Sequence, residues 1–159
     1  MKILKYQLKY TKEIIIDKIT KQKHTAYYPY IPCFFEWRGE KSIEINGLLD
    51  SGADGIVIPM GLANSLNLDL EPAKRSMKVV AREVEYFLTS ANLIIGRAGR
   101  LTTFENVKIA VPKEGDTPVL IGRNPVFKYY NITFIEPELK FLMEPYEEKI
   151  KSKSKKKRR

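Results

Sequence analysis

The sequence predicts an all-β fold, a barrel or closed sheet carrying one or two short helices. Three observations lead there. Short runs rich in Val, Ile, Leu, Phe, Tyr and Thr alternate with polar residues along most of the chain, the period of half-buried strands. Gly, Pro, Asn and Asp punctuate those runs as turns. Few stretches have a helical start and stop, and no internal repeat is visible.

The elements follow in order. Tyr6, Leu8 and Tyr10 alternate with polar residues and Ile14, Ile15 and Ile16 follow, so residues 1–25 read as short strands, an N-terminal extension ahead of a domain over 26–148. Tyr30 to Trp37 is a strand, Arg38-Gly39-Glu40 a turn, and residues 42–50 the returning strand. Asn46-Gly47 ordinarily signals a hairpin turn, but here it sits inside an apolar pattern just before Asp50, so a continuous strand is expected. A glycine-containing loop after Asp50 runs into a short strand, Gly55–Ile58. Pro59 then suits the first turn of a short helix over 60–66, ended by Asn67. Segments 76–81, 84–95 and 100–111 read as strands, Glu114-Gly115-Asp116 as a turn, and 117–122 as another strand. Residues 124–130 suit a short helix after Pro125. Segments 131–135 and 139–143, separated by Glu136-Pro137-Glu138, close the body as a strand pair.

Composition narrows the function classes. With 159 residues, 43% of them apolar and 11% aromatic, the chain suits one globular domain with tails and not wholesale disorder. The net charge of +9 is concentrated in residues 149–159, which hold eight basic and no acidic side chains; the rest has 20 basic against 19 acidic. The basicity therefore belongs to a low-complexity tail, Lys149–Arg159, expected to be solvated and able to meet nucleic acid without sequence specificity through counterion release. The single cysteine, Cys33, excludes an intrachain disulfide, and the single histidine, His24, excludes the usual zinc sites; no metal and no cofactor is expected. A Cys–His hydrolase would need those two residues to meet; a buried small cysteine and a surface histidine are the plainer expectation. No apolar run approaches ~18 residues, so no membrane span is expected. The first residues hold no continuous apolar stretch of secretory type, and a cytoplasmic protein is the expectation.

The chemistry concentrates in Leu48-Leu49-Asp50-Ser51-Gly52-Ala53-Asp54. Two leucines lead a strand into a dry environment, and a carboxylate appears at its end. A hydroxyl residue follows, then Gly and Ala, which leave room for close backbone approach. This suits a carboxylate that faces a substrate with little bulk around it. An ordinary Asp-Ser-Gly turn closing a strand is the alternative. Further along comes a second apolar stretch, Thr117-Pro118-Val119-Leu120-Ile121-Gly122-Arg123-Asn124.

In these two motifs, their order and the strand-like sequence between them, residues 30 to 143 resemble the retropepsins, the retroviral-type aspartic proteases. The resemblance implies a closed β-barrel subunit that forms half of a two-fold symmetric protease. One motif per chain implies a homodimer, each subunit giving one Asp to a shared dyad. Two carboxylates so close cannot both ionise easily, so the dyad holds one proton. The deprotonated member activates a water and the protonated one polarises the scissile carbonyl of a peptide or unfolded protein substrate. By the same resemblance Asp50 is the catalytic carboxylate, Ser51 links the two loops across the dimer axis, and Gly52, next to Ala53, binds substrate backbone. Asp54 is expected to form a bidentate pair with Arg123 beneath the loop. Leu48, Pro118 and Leu120 would line apolar subsites, and ordinary core packing fits the same three residues equally well.

One region departs from the family. Retropepsins cover the cleft with a hairpin flap whose tip is usually rich in glycine. The corresponding segment, Met77 to Tyr86, contains none, and its tip region is Val80, Ala81, Arg82 and Glu83. A tip without glycine turns with fewer accessible conformations, and the charged pair could select substrates or restrict entry. A non-catalytic dimer of the same fold that binds peptides or organises a complex therefore stands beside the endopeptidase.

Overall fold

A ring of six strands encloses the core. The computed structural model describes residues 2–79 and 82–146, and of Met77–Val79 and Arg82 only the backbone. The expected tail, Lys149–Arg159, and two expected flap residues, Val80 and Ala81, lie outside the described residues. The chain begins with β1 (Tyr6–Lys9), β2 (Thr11–Ile16) and β3 (Lys23–Tyr28). It continues through β4 (Tyr30–Trp37), β5 (Glu40–Lys41), β6 (Ile45–Leu49), β7 (Ile56–Val57) and helix α1 (Met60–Ser65). Then come β8 (Glu71–Pro72), β9 (Met77–Val79), β10 (Arg82–Val84), β11 (Tyr86–Arg97) and β12 (Arg100–Pro112). Strands β13 (Leu120–Ile121), β14 (Tyr130–Ile135) and β15 (Lys140–Pro145) end the described chain.

The order β4-β6-β13-β7-β12-β11 closes on itself, because β11 also pairs with β4. Alternation fills the barrel: Ile31, Cys33 and Phe35 of β4 and Leu93 and Ile95 of β11 are fully buried, as are Ile109, Val111 and Ile121. Asn46-Gly47 does lie inside a continuous strand. A Cβ at Gly47 would stand 2.6 Å from Ile121 and 3.1 Å from the Cys33 sulfur, so this glycine makes room for its neighbours rather than a turn.

Some expected strands are shorter than their apolar runs. β6 begins at Ile45 and not at residue 42, because Ser42 turns back on β4, its hydroxyl accepting from the Phe35 N–H at 2.9 Å, and Ile43 stays exposed. β13 holds only Leu120 and Ile121, since Pro118 has no N–H to give a ladder. The expected helix over 124–130 is a single 3-10 turn, Val126–Lys128.

Within residues 1–25, the first strand joins the strands that end the described chain. β1 pairs antiparallel with β15, which carries β14 on its other side. Tyr6 is buried in the common core, its hydroxyl bonded to Ile95 O at 3.1 Å and to Thr102 Oγ1 at 3.0 Å. β2 and β3 form a two-stranded hairpin of their own, paired from Thr11–Tyr28 to Ile16–Lys23.

Candidate active site

Three short strands build the site. β13 lies between β6 and β7, parallel to β6 (Leu120 opposite Leu48) and antiparallel to β7 (Leu120 opposite Val57). The chain leaves β6 at Asp50, loops through Ser51 to Gly55, and returns as β7, so β13 runs through the middle of the loop's own two strands. Backbone bonds lock that arrangement. Asp50 donates its N–H to Ile121 O at 3.1 Å, Arg123 to Ala53 O at 2.9 Å, and Asn124 to Asp54 O at 2.9 Å. The two motifs, more than sixty residues apart in sequence, are thus one hydrogen-bonded unit.

Within that unit Asp50 is half-buried, and its Oδ1 accepts the Gly52 N–H at 2.8 Å, which fixes the carboxylate over its own turn. Ser51 is exposed. Arg123 Nη2 contacts Asp54 Oδ1, so these two side chains do meet. They meet through one nitrogen, and their side chains are 58% and 90% exposed, so the pair lies on the surface of this chain rather than beneath the loop.

Asp50, Gly52, Ala53 and Asp54 open into a cleft of about 1020 Å³. Pro118 and Leu120 line it, as do Ile56 and Val57; Leu48 does not. Ser76 just before β9, Val84 at the end of β10 and Tyr86 at the start of β11 also line it. Glu83 is exposed and accepts a bond from Ser76 Oγ at 3.1 Å.

Sequence reasoning passed over several residues here. Glu114 and Asp116, read only as a turn, line the cleft together with Lys108. Gly122, quoted in the second motif without a role, proves sterically required: a Cβ there would lie 2.3 Å from Gly55 O and 2.5 Å from Ala53 O. The glycine's place directly before Arg-Asn was the available signal.

The Cys–His alternative fails on burial. Cys33 is fully buried, and desolvation, with a smaller contribution from Glu44, pushes its thiol up to about 12, the reverse of an activated nucleophile. His24 stands exposed on β3 opposite Ile15. Among the described residues no group of three or more His, Cys, Asp or Glu side chains gathers to hold a metal, and no helix is long and apolar enough to cross a membrane.

No protein-family profile and no curated protein sequence matches the chain. Solved structures do. A retropepsin-like aspartic protease from Rickettsia conorii superposes with a TM-score of 0.54 at 16% identity, over 89% of this chain and 96% of that one. The EIAV protease in complex with the inhibitor HBY-793 gives 0.46 at 20% identity, over 72% and 93%. The retroviral protease-like domain of Ddi1 from Leishmania major gives 0.44 at 16%, over 74% and 94%. The closed six-stranded barrel, the strand threaded between β6 and β7, and the likeness to the Rickettsia structure over nearly the whole of both chains together give this protein the retropepsin-like fold.

Proposed function

We propose that the chain is one half of a homodimeric aspartic endopeptidase, in which Asp50 from each subunit forms the dyad that activates a water against a peptide bond. The observation that carries this reading is the Asp50 turn itself: a carboxylate at a strand end, held through Oδ1 by the Gly52 N–H, facing a cleft large enough for an extended peptide. One carboxylate cannot be base and acid at once, and a chain with one such motif needs a second copy to complete the pair. Exposed Ser51, beside Asp50, is the residue suited to bonding across the axis. The Arg123–Asp54 contact braces the outer side of the loop, and Pro118 and Leu120 offer apolar walls to substrate side chains.

Incubating wild type and Asp50→Asn with a denatured protein at several pH values tests the reading. Fragments from wild type alone support it, and equal cleavage by both overturns it. The glycine-free segment from Met77 to Tyr86 favours a second reading, a peptide-binding dimer without cleavage. Binding of peptides by wild type with no fragments at any pH would select that one. The basic stretch Lys149–Arg159 adds, in either case, non-specific attachment to nucleic acid. A salt titration of RNA binding with and without residues 149–159 measures that contribution.

A further inference from the structure

We infer that the cleft selects peptides bearing lysine or arginine near the apolar residue it holds, and that Glu114 and Asp116 make the selection. This rests on the peptide-cleft reading above and adds the charge of the substrate. The cleft is two-toned. Ile56, Val57, Pro118 and Leu120 are apolar, whereas the turn before Pro118 places Glu114 and Asp116 on the lining, both exposed.

The charges around them do not balance. Asp54 already meets Arg123, and Glu85 meets Lys113 at 3.0 Å. Glu114 and Asp116 have no ion pair or side-chain hydrogen bond among the described residues. Among the described residues, Lys108 is the one basic side chain on the lining. In the open cleft water solvates both carboxylates. A peptide laid along the apolar floor displaces part of that water and strengthens whatever charge it brings close. A cation there finds two acceptors without partners, whereas a carboxylate meets like charge twice. A peptide in extended form advances about 3.3 Å per residue, so one substrate position, set by where the apolar residue seats, faces the turn.

The test uses peptides with a fixed apolar pair and a Lys, Ala or Glu moved through each position on either side. Wild type, Glu114→Gln, Asp116→Asn and the double variant are compared. At one position wild type should prefer Lys over Glu by about tenfold in kcat/KM at low salt, the scale of two partly exposed charge pairs. The preference should shrink in about 0.5 M salt and largely vanish in the double variant, read as the ratio of Lys to Glu peptide rates within each protein. Equal rates for Lys and Glu peptides, or a preference that survives in the double variant, would overturn the inference. A second arm separates it from the endopeptidase reading. Fluorescent forms of the same peptides are titrated by anisotropy against Asp50→Asn and against Asp50→Asn combined with the double variant. Lys-selective binding that depends on the two acids, with no cleavage by wild type, would sink the endopeptidase and keep the charge selection. Cleavage without charge preference would do the opposite, and failure to bind any peptide defeats both.

Discussion

Gly122 donates its backbone N–H to the carbonyl oxygen of Gly55 at 3.1 Å, and a Cβ on Gly122 would lie 2.3 Å from that same oxygen. The loop carrying Asp50 is therefore closed by direct backbone contact, with no room for a methyl group. Because the obstacle is backbone, it cannot rotate away as a side chain would.

Gly122→Ala should accordingly lower stability by about 1–3 kcal/mol, the usual cost of overpacking, and disturb the Asp50 turn. Gly61→Ala is the control: nothing stands within 4 Å of its Cβ, and it lies in α1. There alanine should be neutral or stabilising by up to about 1 kcal/mol. Chemical denaturation of both variants checks the pair, and similar losses at the two positions would refute the steric account.

The N-terminal strand should prove integral to the fold. Thr102 is fully buried, and its hydroxyl is shared by Tyr6, Tyr130 and the Leu4 N–H at 3.0 to 3.1 Å. Thr102→Val keeps the shape but removes the hydroxyl that these groups share, leaving Tyr6 its bond to Ile95 O, and should cost about 1–3 kcal/mol. Removing residues 2–9 takes Tyr6 out of the core and should cost at least the ~3–5 kcal/mol of a large aromatic truncation. A truncated chain as stable as the whole would mean that β1 merely rests on the barrel.

Cys33 predicts an alkaline weakness. Burial raises its thiol from an ordinary value of 9.0 to about 12. Above the first value the unfolded chain loses a proton that the folded chain keeps, so stability is complete below pH 9 and falls between there and about 12. The slope attributable to this group is at most about 1.4 kcal/mol per pH unit. Cys33→Ala should lose some packing but show a flatter alkaline limb in denaturation curves measured against pH. A thiol reagent should leave the native protein unlabelled and react once it unfolds.

What was legible followed from local pattern. The β4 strand shows its period in Ile31, Cys33 and Phe35, and Arg38-Gly39 declares its turn with positive φ at both residues. The Asp50 loop was legible because its chemistry is contiguous. The place of residues 1–25 was not, because Tyr6 finds its partners at Ile95, Thr102 and Tyr130, and β1 its neighbour at β15. Nothing near Tyr6 in sequence records those contacts. Glu114 and Asp116 were hidden for another reason. A Glu-Gly-Asp turn looks the same on any surface, and only the closure of the barrel brings this one to the cleft.

The Asp54–Arg123 contact should matter less to the single chain than a buried pair would. Exposed pairs contribute about 0–1 kcal/mol, and the loop keeps its backbone bonds from Arg123 to Ala53 and from Asn124 to Asp54. Arg123→Lys should therefore shift the stability of the isolated subunit by under about 1 kcal/mol. A much larger loss, seen in the concentration dependence of dimerisation, would mean that association buries the pair.

The last prediction joins Asp50 to assembly. If one chain supplies half of a dyad, specific activity should fall on dilution below the dimer dissociation constant, since a lone subunit has neither the shared proton nor the second carboxylate. The pH profile should be bell-shaped and lie on the acid side, because one dyad proton must be present and the other absent. Asp50→Asn should abolish cleavage with the fold intact, because the amide keeps the shape and cannot act as a base. Mixing Asp50→Asn in excess with wild type should then poison activity, as most wild-type chains become trapped in dimers holding one carboxylate. Chelators and thiol reagents should have no effect, whereas a peptide mimic with a hydroxyl at the scissile position should inhibit. Activity strictly proportional to concentration down to the monomer, and indifferent to added Asp50→Asn, would rule out a catalytic centre shared between two copies of this chain.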